Sequence, residues 1–190
     1  MSTCLVEVKD LTKSFKNLLV IDKLSIRLEK GKVYLLKGEN GTGKTTFIKL
    51  ILGFYKPNKG TIRRFYKNFR YVAELLPFKS DLKVNTYLNS LLALMKEKRD
   101  SELESYLQLE LNKRLKNLSK GNVKKVLLYL AFVGNPEIVF LDEPLDGLDA
   151  QMQKKVVSYL KERPEICYLI SSHNTKNLNS LKNKEVITFD

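Results

Sequence analysis

One segment constrains this chain more than any other: "GENGTGKT", Gly38–Thr45, which fits the pattern G-x-x-x-x-G-K-[ST]. Its flanks supply the context that pattern needs. Before it, "KVYLLKG" reads as a compact apolar strand ending in Gly; after it, "KTTFIKLILGF" places Phe47, Ile48, Ile51 and Leu52 on one helical face, with Gly53 as the stop. Gly38 and Gly43 permit backbone conformations and a close approach that a Cβ would obstruct, so successive N–H groups can turn toward phosphate oxygens. The expected phosphate-contacting set is Gly38, Glu39, Asn40, Gly41, Thr42, Gly43, Lys44, Thr45 and Thr46. Lys44 brings a charge to the outer phosphates, and the Thr45 hydroxyl can complete the oxygen shell of a magnesium ion.

The rest of the chain alternates strand and helix. "VEV" and "LSIRL" read as short antiparallel strands, and "GTIRRF" and "FRYVA" as further strands. Residues 84–116 carry helical spacing, with Leu88, Leu91, Leu92 and Met95 as one stripe. A helix over about 122–134 ends at "GNP", a buried strand "EIVFLDEP" follows, then a helix around 150–162, the strand "ICYLIS", a short helix and "EVITF". That order predicts an α/β sheet, whose ligands sit beyond the carboxyl ends of the strands, where Gly38 and Asp142 would lie.

Composition narrows the class. The chain has 190 residues, 43% of them hydrophobic and 29% charged, the size and balance of one globular domain. Cys4 and Cys167 are isolated, without zinc-ligand or disulfide spacing, which fits a reducing cytosol. "MSTCLVEVKD" does not read as a signal peptide, and the longest apolar run, "VLLYLAFV", falls short of the roughly 18–20 residues of a membrane span. The net charge of +13 invites nucleic acid or anionic lipid, but it comes from 27 lysines and seven arginines spread along the chain, the pattern of a solvated surface.

Three further stretches carry chemistry. At the tip of the "IVFLDEP" strand, Asp142 is placed to hold magnesium, and Glu143 to orient an attacking water as general base. His173 follows the apolar strand in "YLISSHN"; if strands 138–141 and 166–170 are neighbours, it stands beside the terminal phosphate. "LSKGN", residues 118–122, sets a Ser and a Gly at a helix start, where open N–H groups favour anions, although an ordinary N-cap has the same look.

Together these residues resemble the nucleotide-binding subunit of ABC transporters, from about Val6 to His173: the P-loop, an LSGGQ-like signature in "LSKGN", the Walker B strand "IVFLDEP", a D-loop "LDGLD" at 145–149 and a switch histidine. The resemblance implies a P-loop NTPase core with a mainly parallel sheet, an N-terminal antiparallel β subdomain and a small helical subdomain. It implies a single domain over 1–190, with the core at 1–77 and 119–190 and the helical part at about 78–118. It implies ATP and Mg2+ as cofactors, with Glu143, His173 and Lys44 in the catalytic roles. Thr45, Asp142 and Glu74 would stand toward the metal, Glu74 where the family's Q-loop has Gln. Phe15 would stack on adenine, or simply staple a strand end. Ser119, by its hydroxyl, and Gly121, by its backbone, would cover the γ-phosphate held by a second ATPase subunit, a homodimer being expected. An integral membrane permease is the other implied partner, which places the chain in the cytoplasm, peripheral on the inner face of the membrane, with no specific nucleic acid expected. Lys120 and Asn122 depart from the family's Gly and Gln, and Lys120 would add charge near the partner's nucleotide. Two other readings remain: a soluble ABC ATPase acting on nucleic acid or the translation machinery, and a weakly hydrolysing nucleotide-gated scaffold.

Overall fold

The computed structural model describes residues 3–74 and 80–189. Its first two strands, β1 (Cys4–Phe15) and β2 (Leu18–Glu29), form a long antiparallel hairpin in which "VEV" and "LSIRL" are only segments. The sequence pattern stops short because the hairpin is bulged. Its register slips between Val8 and Leu11 and again before Lys13, with Asp10 (φ 47°) and Lys23 (φ 46°) in left-handed conformations. Each slip ends the strict alternation that marks a strand. After β3 (Val33–Lys37) and helix α1 (Lys44–Leu52), strand β4 (Lys59–Arg64) returns to the free edge of β1, giving the sheet order β2-β1-β4.

β5 (Phe69–Val72), β6 (Ile138–Asp142), β7 (Cys167–Ser172) and β8 (Lys184–Thr188) join β3 in a parallel sheet ordered β5-β6-β7-β3-β8. Every residue of β6 and β7 is buried. Because successive side chains point to opposite faces, these strands feed two cores. Tyr34, Leu36, Ile138, Phe140, Cys167 and Leu169 face α1 and the antiparallel sheet. Val33, Leu35, Val139, Leu141, Tyr168 and Ile170 face the other helices. On α1 the buried stripe is Phe47, Ile48, Leu50 and Ile51, and Gly53 at φ 85° ends the helix as expected.

The helical spacing over 84–116 resolves into α2 (Val84–Met95), α3 (Ser101–Leu107) and a short 3₁₀ turn at Leu115–Asn117. Lys96 closes α2 in a left-handed conformation, and Asp100 opens α3 by accepting from the Leu103 N–H at 2.8 Å. Leu88 and Leu92 are buried, while Leu91 and Met95 are half-buried. The expected boundary between core and helical part, at 77/78, lies outside the described residues. α4 runs Lys120–Phe132, two residues earlier than expected, because Ser119 is its N-cap; α5 (Ala150–Lys161) links β6 to β7. No helix among the described residues is long and apolar enough to cross a membrane.

β6 and β7 are neighbours, with Asp142 opposite Ser171, and β7 continues the sheet to β3, with Ser172 opposite Lys37. Gly38, Glu143 and His173 therefore each leave the sheet one residue past a strand end, on the same edge.

Candidate active site

The loop after β3 is shaped by what surrounds it. A Cβ on Gly38 would lie 2.2 Å from the Phe189 carbonyl oxygen, and one on Gly43, at φ 107°, would lie 2.6 Å from Val20 Cγ1. Gly43 opens α1 without a side-chain cap, so the first amides of that helix are left toward the loop. The Lys44 ammonium, buried, donates to the Gly38 carbonyl at 2.8 Å and to that of Glu39 at 2.6 Å.

Asp142 is fixed from two elements. Its Oδ1 accepts from Thr45 Oγ1 at 2.9 Å and from Ser171 Oγ at 2.5 Å, whereas Oδ2 is buried and has no hydrogen-bond partner among the described residues. A buried carboxylate oxygen without a donor is costly, and a cation beside it removes the cost. Among the described residues no cluster of three or more His, Cys, Asp and Glu forms a protein-only metal cage. One carboxylate beside one hydroxyl suits magnesium, which keeps its remaining positions for water and phosphate oxygens.

Glu143 sits in a left-handed backbone conformation, φ 47°, held there by bonds from its N–H to the carbonyl and hydroxyl of Ser171 at 3.2 and 3.1 Å. That turn aims the carboxylate across the sheet edge at His173. The His173 N–H donates to Oε1 at 2.9 Å, and its Nδ1 lies 3.0 Å from Oε2. A cavity of about 380 Å³ brings together Asn40, Gly41, Gly43, Lys44, Thr45, Thr46, Glu74, Glu143, Asp146 and His173.

Of the expected residues, Gly38, Glu39, Thr42 and Asp142 do not line this cavity but border it through the phosphate loop and the Thr45–Asp142 bond, whereas Phe15, Ser119 and Gly121 stand apart from it. Phe15, 39% exposed, meets Tyr55 edge-on at 5.4 Å and carries the Lys13 ammonium 4.8 Å above its ring. Ser119 Oγ accepts from the Asn122 N–H at 3.2 Å, so the α4 start is an ordinary cap as well as an exposed surface. Gly121 is fixed by packing, since a Cβ there would come 2.4 Å from the Gly147 carbonyl oxygen. Lys120 pairs with Asp146 of the same chain at 2.6 Å, which holds Asp146 below the ordinary carboxylate range and raises Lys120. Sequence reasoning placed Asp146 only within the D-loop, with no role at the site, and missed Ser171. The one available signal for Ser171 was a pair of serines ending a strand otherwise apolar, "CYLISS".

Residues 21–146 match the family model described as ABC transporter, a span that includes the phosphate loop, "LSKGN" and Asp142–Glu143. The chain is 31% identical to the zinc import ATP-binding protein ZnuC of Rickettsia conorii, over 92% of this chain and 78% of that protein. To the zinc import ATP-binding protein ZnuC 1 of Aliivibrio fischeri it is 32% identical, over 97% and 75% respectively. Its fold is similar to that of an ABC transporter ATP-binding protein from Pyrococcus furiosus, with a TM-score of 0.78, 28% identity, and coverage of 95% of this chain and 96% of that one. A phosphate loop, a paired Asp–Glu strand end and a match across two thirds of the sequence converge: this chain belongs to the ABC transporter family, as its ATP-binding ATPase domain.

Proposed function

We propose that this domain binds MgATP, pairs with a second ATPase subunit around two nucleotides, and hydrolyses ATP to drive a separately encoded membrane permease from the cytoplasmic side. The reading rests above all on the unpartnered Asp142 Oδ2, buried beside Thr45 at the rim of a loop built for phosphate. The residues present fit a magnesium ion: Thr45 and Asp142 would hold it, with Glu74 as an oxygen donor across the cavity, and the ion would offset charge on the phosphates.

The chain's own groups then divide the chemistry. Amides of residues 38–46 bind the phosphates, and Lys44 exchanges its two carbonyl partners for phosphate oxygens. Glu143 accepts a proton from the attacking water at a carboxylate oxygen; each of its oxygens keeps a lone pair free beside its bond from His173. His173 orients that base and reaches toward the terminal phosphate. Phe15 stacks on adenine at the mouth of the loop. Ser119 and the Gly121 amide, on the exposed start of α4, cover the γ-phosphate of the facing subunit, and residues of about 78–118 form the lobe that meets the permease. Names of relatives that import zinc support the transport reading.

Turnover measured against protein concentration tests the paired state. Wild type should rise more than linearly, and Ser119→Arg should abolish turnover while nucleotide binding to the isolated subunit persists. A linear rise, with Ser119→Arg as active as wild type, would exclude a site shared between subunits.

A further inference from the structure

One buried charge has no part in the mechanism so far. Lys124, on α4, is 1% exposed, and among the described residues no carboxylate lies within ion-pair distance of its ammonium. Burial pushes its pKa down, against the pull of the Asp146, Asp142 and Glu74 carboxylates farther off, and its hydrogen bonds go to main-chain carbonyls. Nζ donates to the Glu74 carbonyl at 2.8 Å and reaches the carbonyls of Ala73 at 3.4 Å and Asp142 at 3.5 Å.

The place of these carbonyls gives the contact its meaning. β5 and β6 pair in register up to Val72 opposite Leu141, and the ladder stops there. Ala73 and Asp142 are the next residues on the two strands, so the ammonium bridges the strand ends where sheet hydrogen bonds no longer do. The segments it ties carry Glu74 and Asp142, and it reaches them from the helix whose first turn holds Ser119 and Gly121. Asp142 has independent holders in Thr45 and Ser171, whereas among the described residues Lys124 is what holds the Glu74 carbonyl.

We propose that Lys124 is a positioning residue that sets Glu74 at the metal site and couples that site to the start of α4. The inference rests on the reading of Asp142 and Glu74 as metal-facing residues. Outer-shell partners of metal ligands typically contribute about 10- to 100-fold to metal affinity. Binding of Mn2+ in the presence of a non-hydrolysable ATP analogue, followed by the resonance of free Mn2+, tests it on the full chain without turnover. Lys124→Met should weaken Mn2+ binding by about tenfold, with analogue binding in EDTA unchanged. In the Glu74→Ala background, which removes the side-chain oxygen donor, the same substitution should add nothing, since Lys124 acts through Glu74. Lys124→Gln, a shorter donor, should fall between wild type and Met, and it carries the test if the Met variant does not fold. Unchanged or tighter Mn2+ binding in the substituted proteins, or full additivity with Glu74→Ala, would overturn the proposal. Asp142→Asn in the same assay separates the two readings. If it leaves Mn2+ affinity intact, the metal site itself is misassigned; if it abolishes binding while Lys124→Met does nothing, only the role of Lys124 fails.

Discussion

The two ends of this domain that the proposed mechanism uses are built differently. At the strand edge, Asp142 and Glu143 are held by neighbours from β7 and α1, with His173 bonded to Glu143 yet half-exposed, and Asp142 is almost wholly buried. At the start of α4, Ser119 and Lys120 are exposed, tied only by a local cap and by the Lys120–Asp146 pair. The first end is preorganised before any ligand arrives, at the cost of a left-handed Glu143 and a carboxylate oxygen left bare. The second presents its groups on an exposed surface, which a second subunit would complete under the proposed pairing. On that reading, rigidity sits where bonds are made and broken, and accessibility where subunits would meet.

Substitutions on each side can break that contrast. The largest effect belongs to Glu143→Gln, which should lower turnover by about 10²- to 10⁴-fold while MgATP binding persists; single-turnover rates check it, and near-wild-type hydrolysis would remove Glu143 as the base. Ser171→Ala deletes one of the two donors to Asp142 Oδ1 and one of the two acceptors for the Glu143 N–H. It should weaken metal-dependent activity by about 10- to 100-fold, seen as a shifted Mg2+ titration. Gly121→Ala forces a methyl against the Gly147 carbonyl and should cost about 1–3 kcal/mol in thermal stability; an unchanged melt would mean that the two loops separate freely.

The smallest effect is expected at Lys120. The Lys120→Gly protein should melt only slightly below wild type at neutral pH, because the ion pair is partly exposed to solvent. The pH dependence has a definite sign. Asp146 is lowered in the folded chain, so the pair's contribution is complete above the ordinary Asp value of 3.8 and disappears as pH falls through the depressed one. Acid melts of wild type and Lys120→Gly should therefore converge in that range.

The preorganised end was the more legible in sequence, because its chemistry is contiguous: loop, Lys44 and Thr45 lie within one segment, and Asp142–Glu143 cap one apolar run. What escaped reading comes from register. Ser171 meets Asp142 only because β6 and β7 lie side by side, and Asp146 faces the cavity only through the turn after Glu143. Lys124 hid in the basic run "KGNVKK", which resembles a solvated face, yet it shares the spacing of Leu128 and Ala131, both buried. The α4 start was misplaced because Ser119, and no later residue, supplies the cap. In the antiparallel sheet, bulges interrupted the alternation that strand reading depends on.

The strand order has a consequence for synthesis. β3 delivers the phosphate loop, yet its two sheet neighbours, β7 and β8, are made long after it. Until then that strand has no ladder to join, and pairing across such sequence distances is slow. A nascent chain would thus gain nucleotide affinity only after Cys167 has emerged, however early its glycines were added.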